Sequence, residues 1–174
     1  MIVRAPALDD RAEQPYAGFR AQIPMSDLPV FIPGNIERVF GWLGQRTIAP
    51  AGAPFMRYWV LAMPGRLDVE IGVPTASVVN AADGIEAGTL PGGRYASLIY
   101  RDVTAGIEGN AALLEWIASS GAAPDRWDDP HGEAFAARYE RFLSGPADKC
   151  GWRYRRPRDC RSGPLSITRC QWGR

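Results

Sequence analysis

Cysteine, histidine and cofactor motifs are scarce in this sequence, and each scarcity argues against a kind of chemistry. The only histidine is His131, in a loop with proline and glycine, so a Ser-His-Asp triad would have to take this loop residue as its base. The first 149 residues contain no cysteine, and Cys150, Cys160 and Cys170 follow at intervals of ten with no histidine beside them, which is not a zinc pattern. Leu90-Pro91-Gly92-Gly93 precedes a predicted strand rather than a helix, so it is not a phosphate-binding loop. We expect neither a metal nor a cofactor.

Long apolar runs and an excess of positive charge are also missing. No run approaches the roughly 20 apolar residues of a membrane helix, and Met1–Gln14 has three acidic residues and no apolar core of the kind found in signal peptides. The sequence therefore predicts a cytoplasmic protein. Its 174 residues, 46% hydrophobic and 22% charged, are enough for one domain with a core. Residues 1–149 carry 13 basic and 18 acidic residues, which argues against nucleic acid as the partner of this part of the chain.

The sequence does contain an internal repeat. Gly34-Asn35 returns 75 residues later as Gly109-Asn110, and each pair is expected to open an amphipathic helix that carries one tryptophan. A strand-like segment precedes each helix, and an Ala/Pro loop and an Arg-Tyr segment follow it. The repeated unit is predicted to be strand–helix–strand–strand.

The periodicity of Ala134–Leu143 is compatible with a short helix and with a strand that alternates apolar and charged residues. Alignment of the two copies matches this segment with Phe55–Met63, which is strand-like and rich in aromatics. The next segment, Leu67–Val73, alternates cleanly and is predicted to be a half-buried strand. The repeat therefore favours a strand for Ala134–Leu143.

Five short motifs carry a resemblance to a known family: Val69–Pro74 (VEIGVP), Leu90–Ala96 (LPGGRYA), Glu108-Gly109, Leu113–Trp116 (LLEW) and Tyr139–Pro146 (YERFLSGP). In this order and spacing they resemble the GyrI-like small-molecule-binding domains, which include the effector-binding domains of AraC-type and BmrR-type regulators. The resemblance covers roughly residues 10–148. It implies an α+β fold in which two strand–helix–strand–strand units, related by pseudo-twofold symmetry, build an antiparallel sheet with a ligand cleft between the units.

The resemblance and the repeat divide the chain into three parts. Residues 1–15 are predicted to be a loosely held N-terminal arm without a helix-turn-helix, so we expect no DNA-binding segment in this chain. Residues 16–148 are predicted to form the ligand-binding domain, with repeat one at 16–74 and repeat two at 87–148. Residues 149–174 form an atypical tail with seven arginines and three cysteines. Two interpretations of the tail stay open, a folded ending and an out-of-frame ending.

The resemblance implies that Glu140 lies on the strand that carries the ligand-binding carboxylate. A carboxylate on an inward strand face needs a partner, and an organic cation can supply one. The alternative is an exposed ion pair between Glu140 and Arg138, two residues apart on the same strand face.

Four aromatic residues are candidate ligand contacts, because aromatic faces attract cations. Tyr58 and Trp59 lie on the equivalent strand of the first unit, and Phe142 shares a strand face with Glu140. Trp116 is a further candidate, although its helix position also suits the core.

The leading functional prediction is the binding of small hydrophobic or cationic organic molecules, in drug sensing or sequestration. The resemblance implies two alternatives. One is a hydrolase of reactive small electrophiles in which Glu140 activates water. The other is a protein-binding modulator like the gyrase-inhibitory members of the family. The expected partner is a small organic ligand, or a protein in the last case, and no membrane is expected.

Overall fold

The computed structural model describes residues 2–62, 65–100, 106–143 and 165–172. Within these ranges the chain forms one antiparallel sheet and two α-helices. Neither helix of the described chain is long and apolar enough to cross a membrane. In chain order the elements are β1 (Ile2–Arg11), β2 (Gln14–Pro24), α1 (Leu28–Gln45), β3 (Phe55–Leu61), β4 (Arg66–Pro74), β5 (Glu86–Leu90), β6 (Gly93–Tyr100), α2 (Gly106–Ser119), β7 (Ala122–Pro124), β8 (Arg126–Asp129), β9 (Gly132–Arg141) and β10 (Leu165–Trp172).

The order of the strands across the sheet is symmetric. It is β1-β6-β10-β9-β3-β4-β2-β5, with the short β7 beside β10 and β8 beside β9. The first unit, β2-α1-β3-β4, and the second, β6-α2-β9-β10, each contribute three neighbouring strands and meet where β3 pairs with β9. This arrangement confirms the predicted α+β fold, a duplicated strand–helix–strand–strand unit with pseudo-twofold symmetry. It also confirms a strand rather than a helix for Ala134–Leu143, of which all but the last two residues lie in β9.

The two outermost strands are exchanged between the units. β1 precedes the first unit along the chain but pairs with β6 of the second, whereas β5 precedes the second unit but pairs with β2 of the first. Most of residues 1–15, predicted to be a loosely held arm from their polar composition, is therefore an edge strand. Charged residues are common on edge strands because they discourage pairing with other chains, so polar composition did not distinguish the two.

The closing strand of the second unit, β10, comes from the predicted tail. It lies between β9 and β6, and Leu165–Thr168 pairs in register with both. Repeat two, predicted to end at residue 148, therefore takes its last strand from beyond that boundary. Leu165–Thr168 alternates apolar and polar residues as strands do, but the surrounding arginines and cysteines obscured the pattern. A paired strand favours a folded ending over an out-of-frame one; residues 144–164 and 173–174 lie outside the described residues.

Both helices begin before the Gly-Asn pairs that were expected to open them. α1 begins at Leu28 and α2 at Gly106. The start of α1 contains two prolines, which are more typical of loops. Pro29 lies in the first turn, where backbone N–H groups have no helical partner, so it costs no hydrogen bond. Pro33 lies inside the helix and gives up one hydrogen bond there.

Both faces of the sheet are covered. On the helix face, defined as the face under α1 and α2, α1 packs around Val39 and Val73, and α2 packs around Leu113 and Leu98. On the opposite face, which we call the ring face, rings from four strands form a row of edge-to-face contacts with centroids 5.0 to 6.0 Å apart. These rings are Tyr16, Phe55, Tyr139 and Tyr95.

β4 was predicted to be half-buried, and that prediction was wrong. Seven of its nine residues are buried, because α1 covers one face and the rings cover the other. Gly72 makes this packing possible. A Cβ added at Gly72 would lie 2.3 Å from Cζ of Phe55, so the ring occupies the space that any larger residue would need.

Candidate ligand-binding site

The strand register places Glu140 in the middle of the helix face. Across the sheet, Ile71 pairs with Met56, and Met56 pairs with Glu140. On the other side of β9, Ser166 of β10 pairs with both Glu140 and Leu98. Residues paired across antiparallel strands point to the same face. Because Ile71 and Met56 pack in the cluster under α1 and Leu98 packs under α2, Glu140 lies between the two helices, where the units meet. Its side chain is on the covered face, and the residue is only 8% exposed.

Asn110 of α2 holds the Glu140 carboxylate. Its Nδ2 donates to Oε1 of Glu140 at 2.7 Å, and its Oδ1 accepts a hydrogen bond from Nη2 of Arg138 at 3.0 Å. Arg138 is also 8% exposed. The exposed Glu140–Arg138 ion pair considered from the sequence is therefore wrong: both groups are buried, and the amide of Asn110 links them.

Two tyrosines lie beside the same carboxylate. Burial raises the pKa of the Tyr58 hydroxyl well above its usual value, and the Glu140 charge raises it further. The pKa of Tyr100 is raised for the same two reasons in the same order. Both hydroxyls are therefore protonated at neutral pH and able to donate to Glu140. The site thus combines one carboxylate with donors from three elements, β3, β6 and α2.

Arg138 is the cation built into this site. Its guanidinium lies 5.6 Å from the ring centroid of Tyr58 and 4.9 Å from that of Phe135. Burial lowers the pKa of Arg138, because removal from water penalises its charged form. Within the described part of the chain, Arg138 reaches Glu140 through Asn110 rather than by a direct ion pair.

The other aromatic candidates lie in three different places. Phe142 packs in the cluster under α1 that also contains Met56 and Tyr58. Trp116 packs in the core between α2 and β6. Trp59 lies where the pairing of β3 is irregular, and its Nε1 donates to Oε2 of Glu70 at 2.8 Å. The structure brings Tyr58 and Phe142 near Glu140, but not Trp59 or Trp116.

Glu70 is a second buried carboxylate, on the ring face, and sequence analysis assigned it no role. It is 2% exposed and accepts hydrogen bonds from the Tyr16 hydroxyl at 2.8 Å and from Trp59. Burial raises the pKa of Glu70, although its hydrogen bonds and the nearby Arg57 oppose the shift. The alternation of β4 set Glu70 on the polar side of the strand, and nothing local showed that this side was also covered.

Asn110 and Tyr100 were also not predicted from the sequence to lie at this site. The signal that existed was the repeated Gly-Asn pair, which was interpreted as a helix start. A Cβ on Gly109 would come within 2.8 Å of the Tyr100 ring, so this glycine lets α2 approach β6 closely enough for Asn110 to reach Glu140. In the first copy, Gly34 has no atom within 4 Å of such a Cβ, and Asn35 bonds the carbonyl of Phe31 within its own helix.

No group of three or more metal-binding side chains comes together in the part of the chain that the structure describes. The side chains around Glu140 are a carboxylate, phenols, an amide and a guanidinium. Such a set can bind a cation or a polar group by charge and hydrogen bonding, with ring faces on its sides.

Comparisons with known proteins agree with the fold. The family model described as the GyrI-like small molecule binding domain matches residues 5–144. No curated protein sequence matches the chain. Among solved structures, the EcmrR C-terminal domain is 13% identical with a TM-score of 0.69, over 99% of this chain and 100% of that chain. In EcmrR bound to DNA, the match is 12% identical with a TM-score of 0.69, and covers 99% of this chain but 59% of EcmrR.

Two further structures are similar at lower scores. A hydrolase from Listeria innocua is 10% identical with a TM-score of 0.58, over 98% of this chain and 94% of that chain. SAV2435 bound to tetraphenylphosphonium is 12% identical with a TM-score of 0.54, over 95% and 93%. At these identities the similarity shows the fold.

Proposed function

Since the chain belongs to the family of GyrI-like small-molecule-binding domains, we propose that it binds small hydrophobic or cationic organic molecules at Glu140. The carboxylate pairs with the cationic group of the ligand, and Tyr58, Tyr100 and Phe142 form the apolar walls. Trp59 and Trp116 are not among the proposed contacts, because Trp59 bonds Glu70 on the other face and Trp116 packs in the core.

The buried carboxylate is the observation that carries this proposal. Burying an ionised carboxylate is expensive unless charge or hydrogen bonds compensate it. The guanidinium of Arg138 is held by Asn110 rather than by the carboxylate of Glu140 itself. A ligand cation would supply the direct pairing, and each aromatic face adds roughly 0.5–2 kcal/mol of cation–π attraction.

The similarity to SAV2435 supports the choice of ligand class, because that protein was solved with tetraphenylphosphonium, an aromatic cation. The EcmrR structures support a role in sensing, since the matched region is the C-terminal domain of a protein that was solved with DNA. Effector sensing or sequestration is the corresponding proposal for this chain.

Isothermal titration of the whole chain with tetraphenylphosphonium tests the proposal. Glu140→Gln keeps the shape and the hydrogen bond to Asn110 but removes the charge, and we expect it to weaken binding by roughly tenfold or more, the loss typical of a buried charge pair. Glu115→Gln, which neutralises an exposed carboxylate on α2, is the matched control and should bind as tightly as the unchanged chain.

Tetraphenylborate has the same shape as the phosphonium with the opposite charge. It should bind more weakly than the cation to the unchanged chain. In Glu140→Gln the affinities of the two ligands should become similar. Equal binding of the phosphonium to Glu140→Gln and Glu115→Gln would refute the role of Glu140.

Hydrolysis of small electrophiles is a second candidate. Burial raises the pKa of Glu70, as a general base for water requires, and a structurally similar protein from Listeria innocua is described as a hydrolase. Incubation with a cyclopropane-containing electrophile, followed by mass spectrometry, should then show addition of water. The activity would be absent in Glu70→Gln if Glu70 is the base and in Glu140→Gln if Glu140 is. Turnover that survives both substitutions would exclude both carboxylates.

A further inference from the structure

A cleft of about 290 Å³ opens on the ring face, away from Glu140. It lies where the turn between β1 and β2 meets the turn between β5 and β6; a Cβ on Gly92 would be 3.1 Å from the backbone nitrogen of Glu13. These two turns occupy equivalent positions in the two units, so the cleft lies at the pseudo-twofold axis. Tyr95, Tyr139 and Arg141 complete its walls.

Arg141 is a half-buried cation in this cleft, and no carboxylate of the described residues forms an ion pair with it. It follows Glu140 on β9 and pairs across the sheet with Phe55, which sets it on the ring face. Its Nε atom is buried and has no hydrogen-bond partner in the described part of the chain. Burial lowers the pKa of Arg141; Tyr139 opposes this shift and the charge of Arg11 adds to it. A partly buried charge without a counter-ion is costly, and an anion would relieve that cost.

Arg11 brings a second guanidinium to the same cleft. One of its nitrogens pairs with Asp9 at 3.1 Å and another donates to the Tyr139 hydroxyl at 3.2 Å. Its buried Nε has no hydrogen-bond partner among the residues that the structure describes. Its guanidinium also lies 5.6 Å from the ring centroid of Tyr95. The positive charge of two guanidiniums at one cleft exceeds the negative charge that Asp9 supplies.

The cleft also has apolar walls. Leu90, Pro91 and the rings of Tyr95 and Tyr139 form its sides. Among the described residues that line the cleft, Glu13 is the only one with a carboxylate, and it is exposed, so water screens its charge. Two guanidiniums beside aromatic walls suit a ligand that carries a carboxylate on a planar apolar ring.

We propose that this cleft is a second binding site, which takes a small organic anion of the aromatic carboxylate class. Arg141 pairs with the carboxylate, Arg11 assists it, and Tyr95, Tyr139 and Pro91 hold the ring. The site is independent of Glu140, since the two lie on opposite faces of β9.

Titration of the whole chain with salicylate tests this site, and inorganic phosphate serves as an anion without an apolar body. We expect salicylate to bind more tightly than phosphate. Arg141→Gln should weaken salicylate binding by roughly tenfold or more, whereas Arg94→Gln should not weaken it, because Arg94 is an exposed β6 residue paired with Asp10. Glu13→Gln should tighten binding, because it removes the opposing charge.

Three measurements keep the test decisive. The melting temperature of free Arg141→Gln should equal or exceed that of the unchanged chain, because a half-buried charge that forms no ion pair with the described residues is removed. A clear drop would mean that Arg141 serves the fold and would refute the proposal. Equal salicylate affinity in Arg141→Gln and Arg94→Gln would also refute it. Glu140→Gln should leave salicylate binding unchanged. Salicylate binding therefore tests the Arg141 cleft separately from the proposed cation site at Glu140.

Discussion

Glu140 and Arg141, neighbours on β9, lie on opposite faces of the sheet and face two different sites. Glu140 accepts a hydrogen bond from Asn110 of α2, and Arg141 lines the cleft beside Tyr139. Successive residues of a strand point to opposite faces, so this pair gives the helix face a buried carboxylate and the ring face a half-buried guanidinium. One strand thus sets the charge preference of both proposed sites.

Loss of the Asn110 amide should affect both stability and ligand binding. Asn110→Ala leaves Glu140 and Arg138 without their shared partner and should cost about 1–3 kcal/mol in the free energy of unfolding, measured by urea denaturation. It should also weaken binding of tetraphenylphosphonium. Asn35→Ala is the matched control, since Asn35 bonds the carbonyl of Phe31 on its own helix, and it should cost less and leave binding unchanged. Equal effects of the two substitutions would contradict the role of Asn110 as the link between Glu140 and Arg138.

Two glycines should respond to alanine with opposite signs. Gly72→Ala brings a Cβ to within 2.3 Å of the Phe55 ring, and the forced movement of that ring should destabilise the fold by roughly 1–3 kcal/mol. Gly41→Ala, inside α1 with no atom within 4 Å of the new Cβ, should stabilise it by about 0.5–1 kcal/mol, because alanine restricts the unfolded chain and favours helix. Thermal unfolding measures both; a stabilising Gly72→Ala would mean that Phe55 does not lie over this position.

The raised pKa of Glu70 should make stability depend on pH. A carboxyl group with a folded-state pKa above its usual value of 4.5 binds its proton more tightly in the folded state than in the unfolded state. Its contribution to stability is therefore greatest below about pH 4.5 and falls as the pH rises from there to the folded-state pKa. Glu70→Gln cannot titrate, so the stability of the unchanged chain relative to this variant should fall over the same range. Urea denaturation at several pH values from 4 to 8 measures the difference, and a difference that rises with pH would show that the Glu70 pKa is lowered instead.

Removal of residues 1–11 should uncover an edge of the sheet. β1 covers the outer side of β6, and a strand left without a neighbour tends to pair with another chain. We expect the shortened chain to melt at a lower temperature and to self-associate, as measured by thermal unfolding and by light scattering after size-exclusion chromatography. A shortened monomer with an unchanged melting temperature would mean that β1 adds nothing to the sheet.

The sequence predicted what depends on local pattern. The alternation in Leu67–Val73, the amphipathic stripe of α1 and the recurrence of the Gly-Asn pair led to the strands, the helices and the duplication. Glu140 and Tyr58 were proposed as ligand contacts through the resemblance to a family, and that role stays a prediction. The signals for single strands and helices each lie within one element, whereas the duplication was visible because the Gly-Asn pair occurs in both copies.

What the sequence could not predict depends on pairing across the sheet. Tyr100 and Glu140 lie on β6 and β9 with β10 between them, so their proximity depends on the order of strands in the sheet. Trp59 follows Tyr58 on β3 and therefore points to the opposite face, where it bonds Glu70. The pairing of β3 with β9 decides which of the two faces carries Glu140. Glu70 looked solvent-facing because alternation describes one strand, whereas its burial is caused by rings from other strands. Such register is set by the whole sheet, so a single segment does not reveal it.

The exchange of β1 and β5 between the units has a consequence for how the chain folds. Ile2 pairs with Tyr100 and Asp9 with Tyr95, so β1 has no partner until the second repeat has been made. The outer side of β2 likewise has no partner until β5 has been made. Contacts between such distant residues are slow to form, because long loops must close first. During synthesis β1 and the outer side of β2 therefore stay unpaired until β6 and β5 have been made.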